Sequence, residues 1–366
     1  MGPLNKKQPK DVLKAQQKLK KKAFKDKKQM ALLAKIEKDK LIAEGKLDNF
    51  LKKDLSTLSI AVPGSILKNA QSVELRTYLA GQIARAICMF QVDEIIIFDD
   101  ESENKTPSWK QQQDDEEEYN SKNACLQFGR ILQYLECPQY LRKSFFPMHK
   151  DLRNAGLLNP LDAPHHLRTA NIFEFREGVV IESPQKEKSF VNVGFQNDIE
   201  IDKVLEPGVR CTVRVNENKK SGTVVSPLTP RRETGVYWGY SVRIATSLWD
   251  IFSGCPFKNG YDLSIGTSDK GESVDTFEKD YSHCLIVFGG LFGIESALGS
   301  DGAKMENDPK KLFNYYLNTL PNQGSRTIRT EEAVLVTLSA LRTKLKPQNP
   351  PMEFVLHDQI ALSIDT

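Results

Sequence analysis

Cysteine is scarce in this chain, and its spacing argues against two common roles. Six cysteines stand among 366 residues, with no CxxC pair and no paired Cys/His spacing. We therefore expect reduced structural thiols, with neither a disulfide framework nor a metal site. The chain also lacks a GxSxG motif and a GxxxxGK[ST] motif, which argues against a hydrolase or a nucleotide-driven enzyme.

Long apolar runs are missing as well. The longest, from Cys284 to Ile294, contains three glycines and is far too short to span a bilayer. The N-terminus has no apolar segment of the kind found in secretory signals. These two absences predict a soluble intracellular protein that needs no membrane partner.

Positive charge is concentrated at one end of the chain. Residues 1–53 carry 17 lysines against six acidic residues, a net charge of +11, while the rest of the chain nets −8. We expect residues 1–55 to form a partly disordered basic arm that neutralises RNA phosphates without reading their sequence. A localisation element and a merely solubilising tail are the other interpretations.

The hydrophobic pattern after the arm indicates an α/β domain. Leu58–Val62 is predicted as a strand, Val73–Phe90 as a helix and Glu94–Phe98 as a buried strand, which together form a βαβ unit. Helical periodicity returns over Ala124–Tyr140. We assign residues 56–163 to the first part of this domain, with an acidic, disordered loop over residues 99–122.

The pattern changes between residues 164 and 235. Five short alternating runs are separated by Pro, Gly and Asn turns: Ile172–Ile181, Ser189–Phe195, Ile199–Leu205, Gly208–Val215 and Thr223–Val225. Five strands of this length predict a small OB-like barrel, either an RNA-binding platform or a brace for the rest of the fold. Arg210, Arg214, Lys219 and Lys220 are candidate phosphate contacts, although solvated charges on a β face are the ordinary explanation.

The chain then returns to the α/β domain, which we expect to occupy residues 236–366. Tyr237–Arg243 is predicted as an aromatic strand followed by a helix through Phe252. Tyr237, Trp238 and Tyr240 either stack on bases or fill a seam between the domains.

Three loops near the C-terminus have the character of a ligand site. The stretch Asp262–Gly271 (DLSIGTSDKG) and the buried strand Leu285–Phe288 each end in small residues, Gly289 and Gly290 after the latter. The third stretch, Asn318–Leu341 (NTLPNQGSRTIRTEEAVLVTLSAL), combines a Pro and Gly loop with a helix for which Thr330 is the predicted cap. Its apolar positions Val334, Leu335, Leu338 and Leu341 predict one buried helix face.

Taken together, these loops resemble the SPOUT (α/β-knot) RNA methyltransferases. Gly324–Ala333 (GSRTIRTEEA) is similar to the last knot motif of the bacterial rRNA uridine-N3 methyltransferases, although the Gly-Pro-Glu-Gly-Gly turn of those enzymes is reduced here to Gly289-Gly290-Leu291-Phe292-Gly293. From about Leu58 onward, the VPGSIL, YDLSIGTS, VFGGL and NQGSRTIRTEEA stretches resemble the archaeal and eukaryotic SPOUT proteins that carry an inserted OB-like domain.

The resemblance implies an α/β fold with a C-terminal trefoil knot, S-adenosylmethionine (SAM) as methyl donor, large-subunit rRNA as substrate and a homodimer. It also implies a location in the nucleus, within it the nucleolus, with a fraction of the protein in the cytoplasm. Carried over by motif, the cofactor-binding residues are Thr267, Ser268, Gly289, Gly290, Leu291, Asn318, Leu320, Pro321, Gln323, Gly324, Ser325 and Ile328.

The chemistry of uridine N3 methylation requires the loss of an imide proton, and charge then spreads to O2 and O4. Arg326 and Arg329, which flank the cofactor loop, are our candidates for stabilising that charge, with Arg243 a third. Glu331 or Glu332 could accept a proton, although helix capping is the more ordinary role. The alternatives are a non-catalytic RNA-binding scaffold that retains the fold, and an enzyme with ribose 2′-O specificity.

Overall fold

The computed structural model describes residues 54–101, 119–183, 187–301, 308–351 and 361–362. Most of the predicted basic arm and of the acidic loop therefore lies outside the described residues. The strands, in chain order, are β1 (Thr57–Pro63), β2 (Glu94–Phe98), β3 (Asn171–Ile172), β4 (Phe175–Ile181), β5 (Ser189–Asn192), β6 (Ile199–Ile201), β7 (Arg210–Val215), β8 (Ser221–Val225), β9 (Ser241–Ala245), β10 (Leu263–Ser273), β11 (Lys279–Tyr281), β12 (His283–Val287), β13 (Tyr315–Asn318), β14 (Leu345–Pro347) and β15 (Ala361–Leu362).

The α-helices, in chain order, are α1 (Val73–Met89), α2 (Ser121–Glu136), α3 (Arg142–Phe145), α4 (Thr229–Thr234), α5 (Leu248–Ser253), α6 (Gly293–Asp301), α7 (Pro309–Leu312) and α8 (Thr330–Leu341). Side-chain oxygens cap the two longest helices: Ser72 Oγ accepts from the Leu75 N–H at 3.2 Å, and Asn120 Oδ1 accepts from the Asn123 N–H at 2.8 Å. The predicted strand–helix–strand start is confirmed as β1, α1 and β2.

A six-stranded parallel sheet forms the centre of the α/β part, in the order β13-β10-β12-β1-β2-β9. Strand β1 is internal and apolar on both faces. Ile60 and Val62 pack into a core with α1, α2 and α8, whereas Ala61 packs into a second core with α5 and α6. Because both faces are covered, the internal strands β2 (EIIIF) and β12 (HCLIV) are consecutive apolar residues after their first position.

Strands β4 to β8 close into a barrel in the order β4-β5-β6-β8-β7, with β7 paired to β4. Its core is a cluster of small and β-branched side chains: Val180, Val191, Val193, Ile199, Ile201, Cys211, Val213 and Val224. The predicted mixed α/β fold with a small five-stranded barrel is confirmed. The run Ile172–Ile181, however, is divided between β3 and β4.

The prediction of an aromatic strand over Tyr237–Arg243 is wrong in its first half. Gly239 has φ +88°, which interrupts the extended chain, and the strand β9 begins only at Ser241. Tyr237 and Tyr240 are buried and donate to the carbonyls of Val92 and Leu132 at 2.6 and 2.9 Å. Trp238 is also buried, so the aromatic residues fill a seam within the fold.

Helix α8 differs from its prediction at its start. The N-cap residue is Arg329, whose N–H donates to Glu332 Oε2 at 3.0 Å, whereas the Thr330 hydroxyl donates to the Gly289 carbonyl at 3.1 Å. Thr330 therefore joins two loops and does not cap the helix. The predicted buried face is confirmed for Val334, Leu338 and Leu341, which pack in the core of the same chain, while Leu335 stays 43% exposed.

Candidate functional site

The carboxyl ends of three neighbouring strands bring the predicted loops together. Strands β13, β10 and β12 are parallel and adjacent, so the segments that follow Thr267, Val287 and Asn318 lie together beyond the carboxyl ends of these strands. The register between β10 and β13 shifts after Thr267, and the residues from Ser268 onward bulge out of the ladder before pairing resumes at Glu272. Open parallel sheets bind ligands beyond the carboxyl ends of their strands.

Three hydrogen bonds hold these loops in place. Thr267 Oγ1 donates to the Val287 carbonyl at 3.1 Å, and Asn318 Nδ2 donates to the Asp269 carbonyl at 3.0 Å. The third joins Thr330 to Gly289. Side chains of the predicted site residues Thr267 and Asn318 thus fix the geometry of the loops.

The glycine turn after β12 offers backbone where a side chain would not fit. A Cβ atom added to Gly289 would lie 2.7 Å from the backbone of Gly293 and Ile294. One added to Gly290 would lie 3.1 Å from Asp100 Oδ2 and 3.2 Å from Ser65 Oγ. The backbone contact excludes a side chain at Gly289, whereas a Cβ at Gly290 would require the Asp100 and Ser65 side chains to move by a few tenths of an ångström. The turn therefore forms a cradle that favours glycine.

The loop from Asn318 to Thr330 is held by its own polar groups. Asn318 Oδ1 accepts from the Leu320 N–H, Gln323 Nε2 donates to the Ser325 carbonyl, and Ser325 Oγ donates to the Thr327 carbonyl. Leu320 is 39% exposed, while Leu291 and Phe292 on the facing turn are 71% and 76% exposed. Exposed apolar groups beside glycine backbone fit a ligand with a flat ring and polar edges.

The candidate arginines do not all lie here. Arg326 and Arg329 are exposed on the loop before α8, and the Arg329 side chain is 80% exposed. Arg243 belongs to β9, at the opposite edge of the sheet from β13. It donates to Glu94 Oε1 at 2.8 Å and to the Tyr261 hydroxyl at 2.9 Å, so within one subunit the structure does not bring it to the loops.

Sequence reasoning missed a carboxylate beside the glycine turn. Asp100 follows β2, and Ser65 follows β1; Ser65 Oγ donates to Asp100 Oδ2 at 2.6 Å, and the Ser65 N–H donates to Oδ1 at 3.2 Å. Burial raises the pKa of Asp100 and outweighs the lowering by these hydrogen bonds. The signal for it was present, since an acidic pair follows the buried strand EIIIF directly.

A buried ion cluster joins the barrel to the α/β part and corrects the prediction for Arg210. This guanidinium donates to Glu136 of α2 at 2.7 and 3.0 Å and to Glu177 of β4 at 2.6 Å. Burial would raise the pKa of Glu177, but Arg210, Thr212 and Trp238 outweigh it and the pKa lies below its usual value. Arg210 therefore joins the barrel to α2 and is not a phosphate contact, because its guanidinium N–H groups already donate to carboxylates.

The other predicted phosphate contacts on the barrel remain at the surface. Arg214 pairs with Glu233 and Glu174, and its guanidinium stacks over Phe175 at 4.9 Å. Lys219 and Lys220 are exposed on the turn between β7 and β8. These lysines are the more accessible candidates for phosphate.

The described ranges given above contain neither a membrane-spanning helix nor a metal-binding cluster. No helix in them is both long and apolar enough to cross a membrane. Nor do three His, Cys, Asp or Glu side chains in those ranges group as a metal site would require.

Comparison with known proteins gives consistent matches over the α/β part and the barrel. The profile of a family described as "putative RNA methyltransferase" matches residues 57–341. A 28S rRNA (uridine-N(3))-methyltransferase of Drosophila melanogaster is 54% identical over 328 residues, covering 86% of this chain and 68% of that protein. The Homo sapiens protein of the same description is 52% identical over 302 residues, 79% of this chain and 78% of its own length.

Proposed function

We propose that this chain, which belongs to the RNA methyltransferase family, transfers a methyl group from SAM to N3 of a uridine in 28S-type rRNA. The observation that carries the proposal is the identity of 52–54% to enzymes of that description. The family profile, which matches residues 57–341, includes all three loops. The protein is accordingly an enzyme.

The residues at the loops fit a SAM-type donor. The glycine cradle leaves backbone groups for the polar edge of an adenine, and Leu291, Leu320 and Ile328 can enclose the ring. We propose that the predicted loop residues given above hold the cofactor, with Thr267 and Asn318 acting through the loop geometry that they fix. Bound SAM supplies an activated methyl group, so the chain itself must align the base and control charge.

Charge control is the role that we propose for Arg326 and Arg329. Both are exposed on the cofactor loop. A guanidinium group can donate hydrogen bonds to O2 or O4 of a uridine while the uridine loses its N3 proton. Arg243 is engaged with Glu94 and Tyr261, and a role for it would require a partner subunit to bring it near the loops.

We further propose that the C-terminal region is a SPOUT trefoil knot. Three features support it: β13 lies at the sheet edge, Thr330 reaches the turn after β12, and α8 packs on α1, which follows the internal strand β1. The segment from β13 to α8 thus runs from the outermost strand of the sheet, past the turn after β12, to a position against α1. A crystal structure in which residues 318–341 run around the outside of the β12–α6 connection would contradict the knot.

A homodimer is the next element of the proposal. Tyr78 and Met89 of α1 and Leu335 of α8 are 46%, 53% and 43% exposed around one cavity. Arg85, Glu331 and Glu332 also line this cavity, so a second copy that covers it would meet exposed apolar side chains beside charged ones. The fully buried side of α8 offers no such argument, because its own chain already covers it. Sedimentation at micromolar concentration tests this, and an active monomer would contradict it.

RNA binding is proposed for the lysine arm and for the barrel turn at Lys219 and Lys220. Deleting residues 1–53 should reduce the salt dependence of RNA affinity, because fewer counterions are released from phosphate. An unchanged salt slope would leave localisation in the nucleus or nucleolus, which we also propose, as the role of the arm.

The decisive experiment is methylation of a large-subunit rRNA transcript by the purified protein, followed by mass spectrometry of its nucleosides. We expect 3-methyluridine. A ribose 2′-O-methyl product would overturn the chemistry while leaving the family assignment, and SAM binding without any product would favour a non-catalytic scaffold.

A further inference from the structure

Three adjacent strands present their carboxyl ends beside the glycine turn. Strand β1 lies between β12 and β2, and all three are parallel. The residues that follow them, Ser65, Asp100 and Gly290, therefore meet at one point. The distances of 3.1 and 3.2 Å from a Gly290 Cβ position place both polar side chains against the turn, on the side facing away from β10 and β13.

The Asp100 carboxylate is held in a defined orientation. Ser65 donates to both of its oxygens, from the hydroxyl at 2.6 Å and from the backbone at 3.2 Å. Its titratable neighbours are Glu101, whose carboxylate binds Lys68 at 2.6 Å, Asp99, which accepts from the Ser121 hydroxyl, and the Cys125 thiol. Because burial raises the pKa of Asp100, its carboxylate is a stronger base than a solvated aspartate.

The other carboxylates near the loops are engaged in holding structure. Glu332 accepts from the backbone N–H of Arg329. Glu295 contacts Lys270 and accepts from the Tyr316 hydroxyl, both at 3.3 Å. Glu331 Oε1 lies 3.9 Å from Arg329 Nη1, and Asp269 Oδ1 accepts from the Ser268 hydroxyl. None of these four carboxylates is oriented by donors on both of its oxygens in the way that Asp100 is, which leaves Asp100 as the best-placed base at the turn.

We propose that Asp100 is the catalytic residue that accepts the N3 proton of the target uridine, an inference that rests on the proposed function. As the N3–H bond breaks, its proton passes to an Asp100 oxygen. The electron pair left on N3 forms the new N3–CH3 bond, and the electrons of the donor's S–CH3 bond remain on sulfur as the sulfonium becomes a neutral thioether. Ser65 keeps the carboxylate directed at the turn, and an arginine of the facing loop stabilises charge on the base.

The first test compares Asp100→Asn with Glu101→Gln, a neighbouring acid of the same loop that is paired with Lys68. General-base removal should lower the single-turnover rate by about 100-fold or more. The affinity for S-adenosylhomocysteine, measured by calorimetry, and the melting temperature should stay near wild type. Glu101→Gln should keep its rate. A wild-type rate in Asp100→Asn overturns the inference, as does a loss of S-adenosylhomocysteine affinity that matches the loss of rate.

The second test separates proton transfer from positioning. In an rRNA transcript made with 5-fluorouridine, the electron-withdrawing fluorine lowers the pKa of the N3 proton. Methylation of this RNA should therefore depend less on Asp100 as the proton acceptor. The ratio of the wild-type rate to the Asp100→Asn rate should be about tenfold or more smaller on this RNA than on the uridine transcript. An equal ratio on both RNAs overturns the role of Asp100 as the proton acceptor. If the Asn variant does not fold, Asp100→Ala assayed with added formate replaces it, and a failure of formate to restore methylation has the same meaning. Absence of 3-methyluridine with the wild-type protein would instead count against the proposed function.

Discussion

The hydroxyl of Thr330, the first residue of α8, donates a hydrogen bond to the carbonyl oxygen of Gly289 at 3.1 Å. This contact ties the start of the last long helix to the turn after β12, although the two residues are 41 positions apart in sequence. The contact directs the Gly289 carbonyl towards the start of α8 and so restrains the backbone of the turn.

Replacing Thr330 with valine should therefore weaken cofactor binding. Valine keeps the shape but cannot donate, and one hydrogen bond contributes about 0.5–1.5 kcal/mol, so SAM affinity should fall about 2- to 10-fold. Calorimetry measures this directly. Thr330→Ser, which keeps the hydroxyl, serves as the control and should bind as wild type; equal affinities in the valine and wild-type proteins would mean that the contact does not order the site.

Replacing Gly290 with leucine should abolish SAM binding. Its side chain would meet Asp100, Ser65 and Pro63 within 3.5 Å and would fill the cradle. The matched control is Gly156→Leu, because a Cβ at Gly156 has no neighbour within 4 Å. Both proteins should show the circular dichroism of the wild type. A folded Gly290→Leu protein with unchanged SAM affinity would mean that the cofactor binds elsewhere.

Replacing Arg326 or Arg329 with lysine should reduce turnover far more than SAM affinity. Lysine keeps the charge but loses the planar pair of donors, and losing one charge-stabilising donor costs about 100- to 1000-fold in rate. Arg342→Lys, an exposed arginine at the end of α8, is the control and should be neutral. The idea is untenable if single-turnover rates of both loop variants equal that of the wild type.

The ion cluster around Arg210 should make stability sensitive to acid. Because the pKa of Glu177 is lower in the folded protein than its ordinary value of 4.5, this carboxylate contributes stability above that pH, and the contribution is lost as the pH falls below it. In urea unfolding, Glu177→Gln should cost roughly 3 kcal/mol at pH 7, as expected for a broken buried pair, and its stability should fall less steeply below pH 4.5.

Glu200→Gln is the matched control for that measurement. Glu200 pairs with Lys188 at the surface, where both side chains are at least 40% exposed, and such pairs contribute little. Identical acid profiles for Glu177→Gln and the wild type would remove the cluster as the source of the pH dependence.

The sequence was a reliable guide where local patterns decide structure. The strand Glu94–Phe98 was predicted with its observed bounds, because five buried residues lie between turn signals. Arg210 was not predictable in the same way: its partners Glu177 and Glu136 are 33 and 74 residues away, and only the closure of the barrel against α2 brings them together. The position of Asp100 at Gly290 likewise depends on the order of strands in the sheet, which no local pattern contains.

The pairing of β1 with β12 also has a consequence for synthesis on the ribosome. Strand β2, the partner on one side of β1, is translated soon after it. Thr57 faces His283 across 226 positions, so at about 5–20 residues per second the other side of β1 stays unpaired for roughly 10–45 s. The barrel pairs only within residues 175–225 and can close during that interval. Ribosome-arrested chains that end near residue 275 should therefore contain a protease-resistant barrel and a cleavable β1 segment, and early protection of β1 would contradict this order.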